Sequence, residues 1–109
     1  MSDVRVILCT FPDSEQARQI GTALVEMQLA ACVNLIPAVE SIYRWQGKVE
    51  SACEILAIFK TSAATREAFE KALTELHPYE VPEIIALDPV EVSGPYREWV
   101  LGNVTHQSR

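Results

Sequence analysis

The 109-residue chain is poor in the residues from which most active sites are assembled. It has four glycines, Gly21, Gly47, Gly94 and Gly102, and they stand far apart. A loop that cradles phosphate needs its glycines clustered, so none is expected. The two histidines, His77 and His106, leave little material for a triad, and His106 falls in a tail expected to fray. Neither an H-E-x-x-H nor a G-x-S-x-G run occurs. The three cysteines, Cys9, Cys32 and Cys53, lack any C-x-x-C spacing, which argues against a disulfide framework or a closed zinc site. Acidic pairs exist, Glu80 with Glu83 and Glu50 with Glu54, but at positions where solvated carboxylates are the ordinary outcome. The expectation is that the chain is not an enzyme.

Basic residues are in the minority as well. Nine Lys and Arg stand against fifteen Asp and Glu, for a net charge of −6. A nucleic-acid partner is disfavoured by that balance, while cations are not. No apolar run approaches the roughly 18 residues of a membrane span, so no membrane partner is expected. Met1 to Arg5 lacks a basic leader, and a reducing cytoplasm is the expected location. What the chain does have is apolar material. It is 49% hydrophobic and 22% charged, enough to pack residues 1–109 as a single domain.

Periodicity divides that domain. Val4 to Thr10 is β-branched and reads as a strand, ended by Pro12-Asp13. Asp13 and Gln16 resemble a capping box ahead of Ala17, Ile20, Leu24 and Met27 at helical spacing. Gly21 inside this helix implies close packing on a sheet. Ala30 to Pro37 reads as a strand broken by proline, Ser41 to Trp45 as its extension, and Lys48 to Thr61 as the returning arm after a turn at Gln46-Gly47. That arm is long beside the usual five or six residues or so. Ala63 to Leu76 reads as a second helix with a Phe69, Ala72, Leu73, Leu76 stripe, stopped by His77-Pro78. A short strand is expected from Glu83 to Leu87, further extension at Val90 to Val92, and a last helix burying Tyr96, Trp99 and Val100.

The order β-α-β-β-α-β plus a helix is the ferredoxin-like α+β arrangement on an antiparallel sheet. Right-handed crossovers place both long helices on one face. The other face is left bare, and the long hairpin overhangs. Other copies of the chain are the natural cover for both.

Single residues admit two readings each. Cys9, Cys32, Cys53 and His77 could supply donors that suit copper, or be a set of small buried thiols and a ring answering a helix C-terminus. Tyr43, Trp45 and Tyr79 read as pocket walls or as interface anchors. Lys60, among apolar strand residues, needs a carboxylate or an anionic ligand if buried, and neither if exposed.

Taken together, several motifs resemble one known family. These are Ala30-Ala31-Cys32-Val33-Asn34-Leu35-Ile36-Pro37, Tyr43-x-Trp45-x-Gly47-Lys48-x-Glu50, Lys60-Thr61 and His77-Pro78-Tyr79-Glu80-Val81-Pro82-Glu83-Ile84. In order and spacing, from about Val4 to Leu101, they closely resemble the CutA family of divalent-cation tolerance proteins. The resemblance implies a stable homotrimer, similar in architecture to PII signalling proteins, and tolerance to copper and other divalent cations. It implies Cys9 and His77 as copper(II) ligands. The family's second histidine position is Leu76 here, with Glu54 as the nearest acidic candidate to complete the set. Tyr43, Trp45, Lys48, Lys60, Tyr79 and Glu80 are the matching ligand or interface candidates. The alternatives are a PII-like trimeric regulator holding a small anion or metabolite between subunits near Lys60, Tyr79 and Trp45, or a stable scaffold.

Overall fold

The first apolar run forms the strand it predicts, β1 (Val4–Phe11), in a computed structural model that describes residues 3–105. His106 lies outside the described residues. Asp13 then caps α1 (Ser14–Glu26), its carboxylate accepting from the backbone N–H of Gln16 at 2.8 Å and from the Gln16 amide at 2.8 Å. Both bonds satisfy donors at the helix start. Ala17, Ile20 and Leu24 are buried, but Met27 closes the helix and stays 46% exposed. Gly21 has Val33 against it: an added Cβ would lie 3.2 Å from the valine Cγ1. This is the close approach of helix to sheet that a mid-helix glycine implies.

The hairpin is as long as the sequence suggests, but its first arm is continuous. β2 (Cys32–Trp45) runs 14 residues and β3 (Lys48–Ser62) 15, and the longest dimension of the molecule is 43 Å. Pro37 does not break β2. The proline and Ala38, whose φ is 61°, form a bulge between Ile36 and Val39. A bulge absorbs a residue without a pairing partner and so accommodates the proline's missing N–H. At the far end Gln46 (φ 51°) and Gly47 (φ 81°) form a two-residue turn with positive φ at both positions, the geometry that matches strand twist.

α2 (Arg66–Leu76) starts three residues later than expected. Ser62 holds the preceding turn: the Thr65 N–H donates to Ser62 Oγ, and the two hydroxyls bond at 2.7 Å. Phe69 and Leu73 are buried, Ala72 packs beside them, and Leu76 is 43% exposed. β4 is Ile84–Leu87, and no strand forms at Val90 to Val92. α3 (Gly94–Gly102) buries only Val100 of its expected face, leaving Tyr96 and Trp99 partly exposed.

The strands join antiparallel in the order β2-β3-β1-β4, the ferredoxin-like topology. Ile7, Cys9 and Phe11 of β1 with Ile55, Ala57 and Phe59 of β3 face α1 and α2 and make the main core. A smaller cluster of Val4, Ala31, Val100 and Val104 sits under α3 on the other face. Beyond α3 that face carries Leu8, Leu56 and Ile58, partly buried, and Ile36, Ile85 and Leu87, exposed, with no helix among the described residues over them.

Candidate functional site

His77 is positioned by the way α2 ends. Pro78 cannot follow a helical residue without a clash, so His77 leaves the helix extended, with φ −73° and ψ 139°. Its ring turns inward and stacks on Phe11, centroids 4.7 Å apart at 19°. Nε2 lies 2.8 Å from the carbonyl oxygen of Thr10, and Nδ1 accepts from the Tyr79 N–H at 3.0 Å. A carbonyl only accepts, so the proton sits on Nε2 and the ring is neutral. Burial lowers the pKa of His77, against opposing pulls from the Thr10 carbonyl and the Glu54 carboxylate.

Cys9 reaches the same carbonyl from the strand side. Its Sγ is fully buried and 3.7 Å from the oxygen of Thr10. Burial, then the charge of Glu83, pushes the thiol up to about 12, with Glu54 adding to the effect. The sulfur is therefore protonated at neutral pH. Glu54 is 8% exposed and accepts a 2.5 Å bond from the Tyr79 hydroxyl. Burial and then Glu54 raise the pKa of that phenol. Glu54, Tyr79, His77, the Thr10 carbonyl and Cys9 thus form one continuous chain of contacts around the end of β1.

As a metal centre this arrangement is incomplete. Among the described residues no group of three or more His, Cys, Asp or Glu side chains is placed to hold an ion. Cys9 and His77 converge on one atom, yet the thiol keeps its proton and both ring nitrogens are engaged. Glu54 lies on the other sheet face from Cys9, bonded to Tyr79. Leu76, next to His77, offers no donor.

The remaining candidates divide into two groups. Past the bulge, Tyr43 pairs with Glu50 and Trp45 with Lys48, on the same face as Glu54. Tyr43, Trp45, Lys48 and Glu80 are all exposed. Lys60 is elsewhere: twelve residues of β3 separate it from Lys48, about 40 Å of strand. One chain therefore does not bring Trp45 to Lys60. The lysine instead donates to Asn34 Oδ1 and lies 3.7 Å from Cys32 Sγ, which is 3.4 Å from the hydroxyl of Tyr96. Asn34 and Tyr96 were not legible as site residues, because their meeting depends on strand register and on where α3 docks. The role of Thr10 is a backbone one, which no side-chain pattern announces.

The model of the CutA1 divalent ion tolerance protein family matches residues 5–103. The chain belongs to that family. The divalent-cation tolerance protein CutA of Thermus thermophilus is 46% identical over 98 residues, covering 90% of this chain and 95% of that protein. Protein CutA of Mus musculus is 43% identical over 97 residues, and there the match spans 55% of the mouse protein. The crystal structure of CutA from Xylella fastidiosa superimposes with a TM-score of 0.93 at 40% identity, over 95% of this chain and 100% of that one. Relatives differ in compartment by name: the Arabidopsis thaliana protein is called chloroplastic and the Archaeoglobus fulgidus structure periplasmic. Among the described residues no helix is long and apolar enough to cross a membrane.

Proposed function

We propose that the chain acts in divalent-cation tolerance as a closed homotrimer, in the cytoplasm, that takes up copper(II) weakly at Cys9 and His77. The observation that carries this reading is the second sheet face, where Ile36, Ile85 and Leu87 are exposed and Leu8, Leu56 and Ile58 only partly buried, while the hairpin projects with Ile42, Trp45 and Val49 exposed. An apolar face left open to solvent favours association, and a cyclic arrangement covers strand edges without continuing into fibres. Copper suits the soft sulfur and the imidazole. Supporting the cation are the carboxylates of Glu54 and Glu83, whose charge already acts on Cys9. Glu54 is on the other face and held by Tyr79, so a third donor is supplied by a neighbouring copy.

Because Cys9 holds its proton, uptake must release it, and affinity should rise with pH. Calorimetric titration with copper(II) at two pH values tests this. Weak saturable heat that strengthens at the higher pH, and that is lost in Cys9→Ser and His77→Ala, is the expected result. Unchanged copper binding in both variants would overturn the assignment. Neither nucleic acid nor membrane enters this function.

A further inference from the structure

Lys60 is the misfit of the sheet. It is half-buried on β3 between Phe59 and Thr61, in a chain that carries fifteen carboxylates, and none of them pairs with it among the described residues. The ion pairs there are made by Arg5, Arg66 and Arg97. The stem of the lysine is partly buried, while the ammonium reaches Asn34 at the solvent-exposed edge of the sheet without a counter-charge. Its partners here are neutral: the Asn34 amide oxygen and, at 3.7 Å, the Cys32 sulfur. An ammonium has three donors, so at least one remains for something else.

The surroundings add donors rather than acceptors. The Asn34 oxygen accepts from the lysine, which leaves its amide nitrogen to donate. The Tyr96 hydroxyl stands 3.4 Å from the Cys32 sulfur on the same side of the sheet. Burial and then that contact raise the phenol to about 12, so it carries a proton at neutral pH. Tyr96 also stacks on Trp99, centroids 5.7 Å apart at 26°, and both rings are partly open to solvent.

We infer that Lys60, Asn34 and Tyr96 form a binding site for a small organic monocarboxylate, with the Tyr96–Trp99 pair as the wall for its apolar body. One oxygen of the carboxylate meets the ammonium and the other the phenol. The single positive charge selects the class. A phosphate dianion would keep about one charge uncompensated beside a half-buried sheet, and its binders add arginines or a run of backbone N–H groups. The site lies under Tyr96 at the α3 end of the sheet face, bordering the bare stretch assigned to other copies, and the Cys9–His77 pair lies on the opposite face.

Benzoate is a suitable probe, with inorganic phosphate as the competing class. Calorimetry on the full chain should give saturable benzoate binding in the range of about 1 mM, typical of one charge-assisted contact. Lys60→Met should weaken it about tenfold or more, and Tyr96→Phe, which removes only the hydroxyl, by a smaller factor. Cys9→Ser should leave it unchanged while abolishing copper uptake, so the two sites fail independently. No saturable benzoate signal for wild type would overturn the inference, as would equal affinity in Tyr96→Phe, a variant that keeps the ring and its packing. Phosphate displacing benzoate at equal concentration would overturn the choice of carboxylate.

Discussion

His77 shows how much one residue carries here. Its neutral ring joins the end of α2 to β1 through the Thr10 carbonyl and orders the backbone after Pro78 through the Tyr79 N–H. Because its folded-state pKa lies below the ordinary 6.5, the unfolded chain binds the extra proton more readily. The stability it contributes is complete above about pH 6.5 and declines as pH falls from there through the folded-state value. Urea midpoints measured from neutral to mildly acidic pH should therefore fall, and the slope should flatten in His77→Gln. A flat profile in the wild type would show that the buried ring contributes nothing. The sequence marks His77 and Cys9 as donors but not their shared acceptor, since a carbonyl has no letter of its own. Lys60 is the converse case. Its position among apolar residues made the need for a partner legible, while the neutral partners it has come from pairing register.

At the scale of elements, periodicity and turn chemistry were good guides. β1, α1 and both arms of the hairpin form where the alternation and the capping residues place them. Where expectation and structure part, a local polar contact explains it. Ser62 and Thr65 hold a turn that delays α2, and the bulge at Pro37 lets β2 continue. Leu76 of α2 and Tyr96 and Trp99 of α3 stand more open than their helical stripes imply, because a stripe does not reveal how far the sheet extends beneath it. The hairpin turn gives a direct test. Gly47 sits at φ 81°, where an L side chain is strained. Gly47→Ala should cost about 1–2 kcal/mol, and Gln46→Gly, which relieves a positive φ, should stabilise by up to about 1 kcal/mol. Thermal melts of the two variants should move in opposite directions.

For the whole molecule, the ferredoxin-like order of strands was legible from β-α-β-β-α-β and the handedness of crossovers, and family membership from the spaced motifs. The uncovered sheet face follows from the same reasoning. Trp45, at the tip of the hairpin, is 54% exposed in the single chain. If neighbouring copies bury it, Trp45→Ala should weaken association by about 2 kcal/mol, the scale of an aromatic hot spot. Light scattering across a dilution series should then show the variant dissociating at concentrations where the wild type remains a trimer. A wild type at 12.1 kDa throughout would refute assembly altogether.

The bulge at Pro37 and Ala38 acts as a phase shifter. Before it, even-numbered side chains of β2 share the open face with Lys60; after it, odd-numbered ones share that face with Glu54. Removing one of the two bulge residues would straighten the strand and still leave Val39 opposite Glu54, so Tyr43 and Trp45 would keep their face. The extra residue is thus absorbed at one point, bending the ribbon there while the pairing out to the tip stays in step.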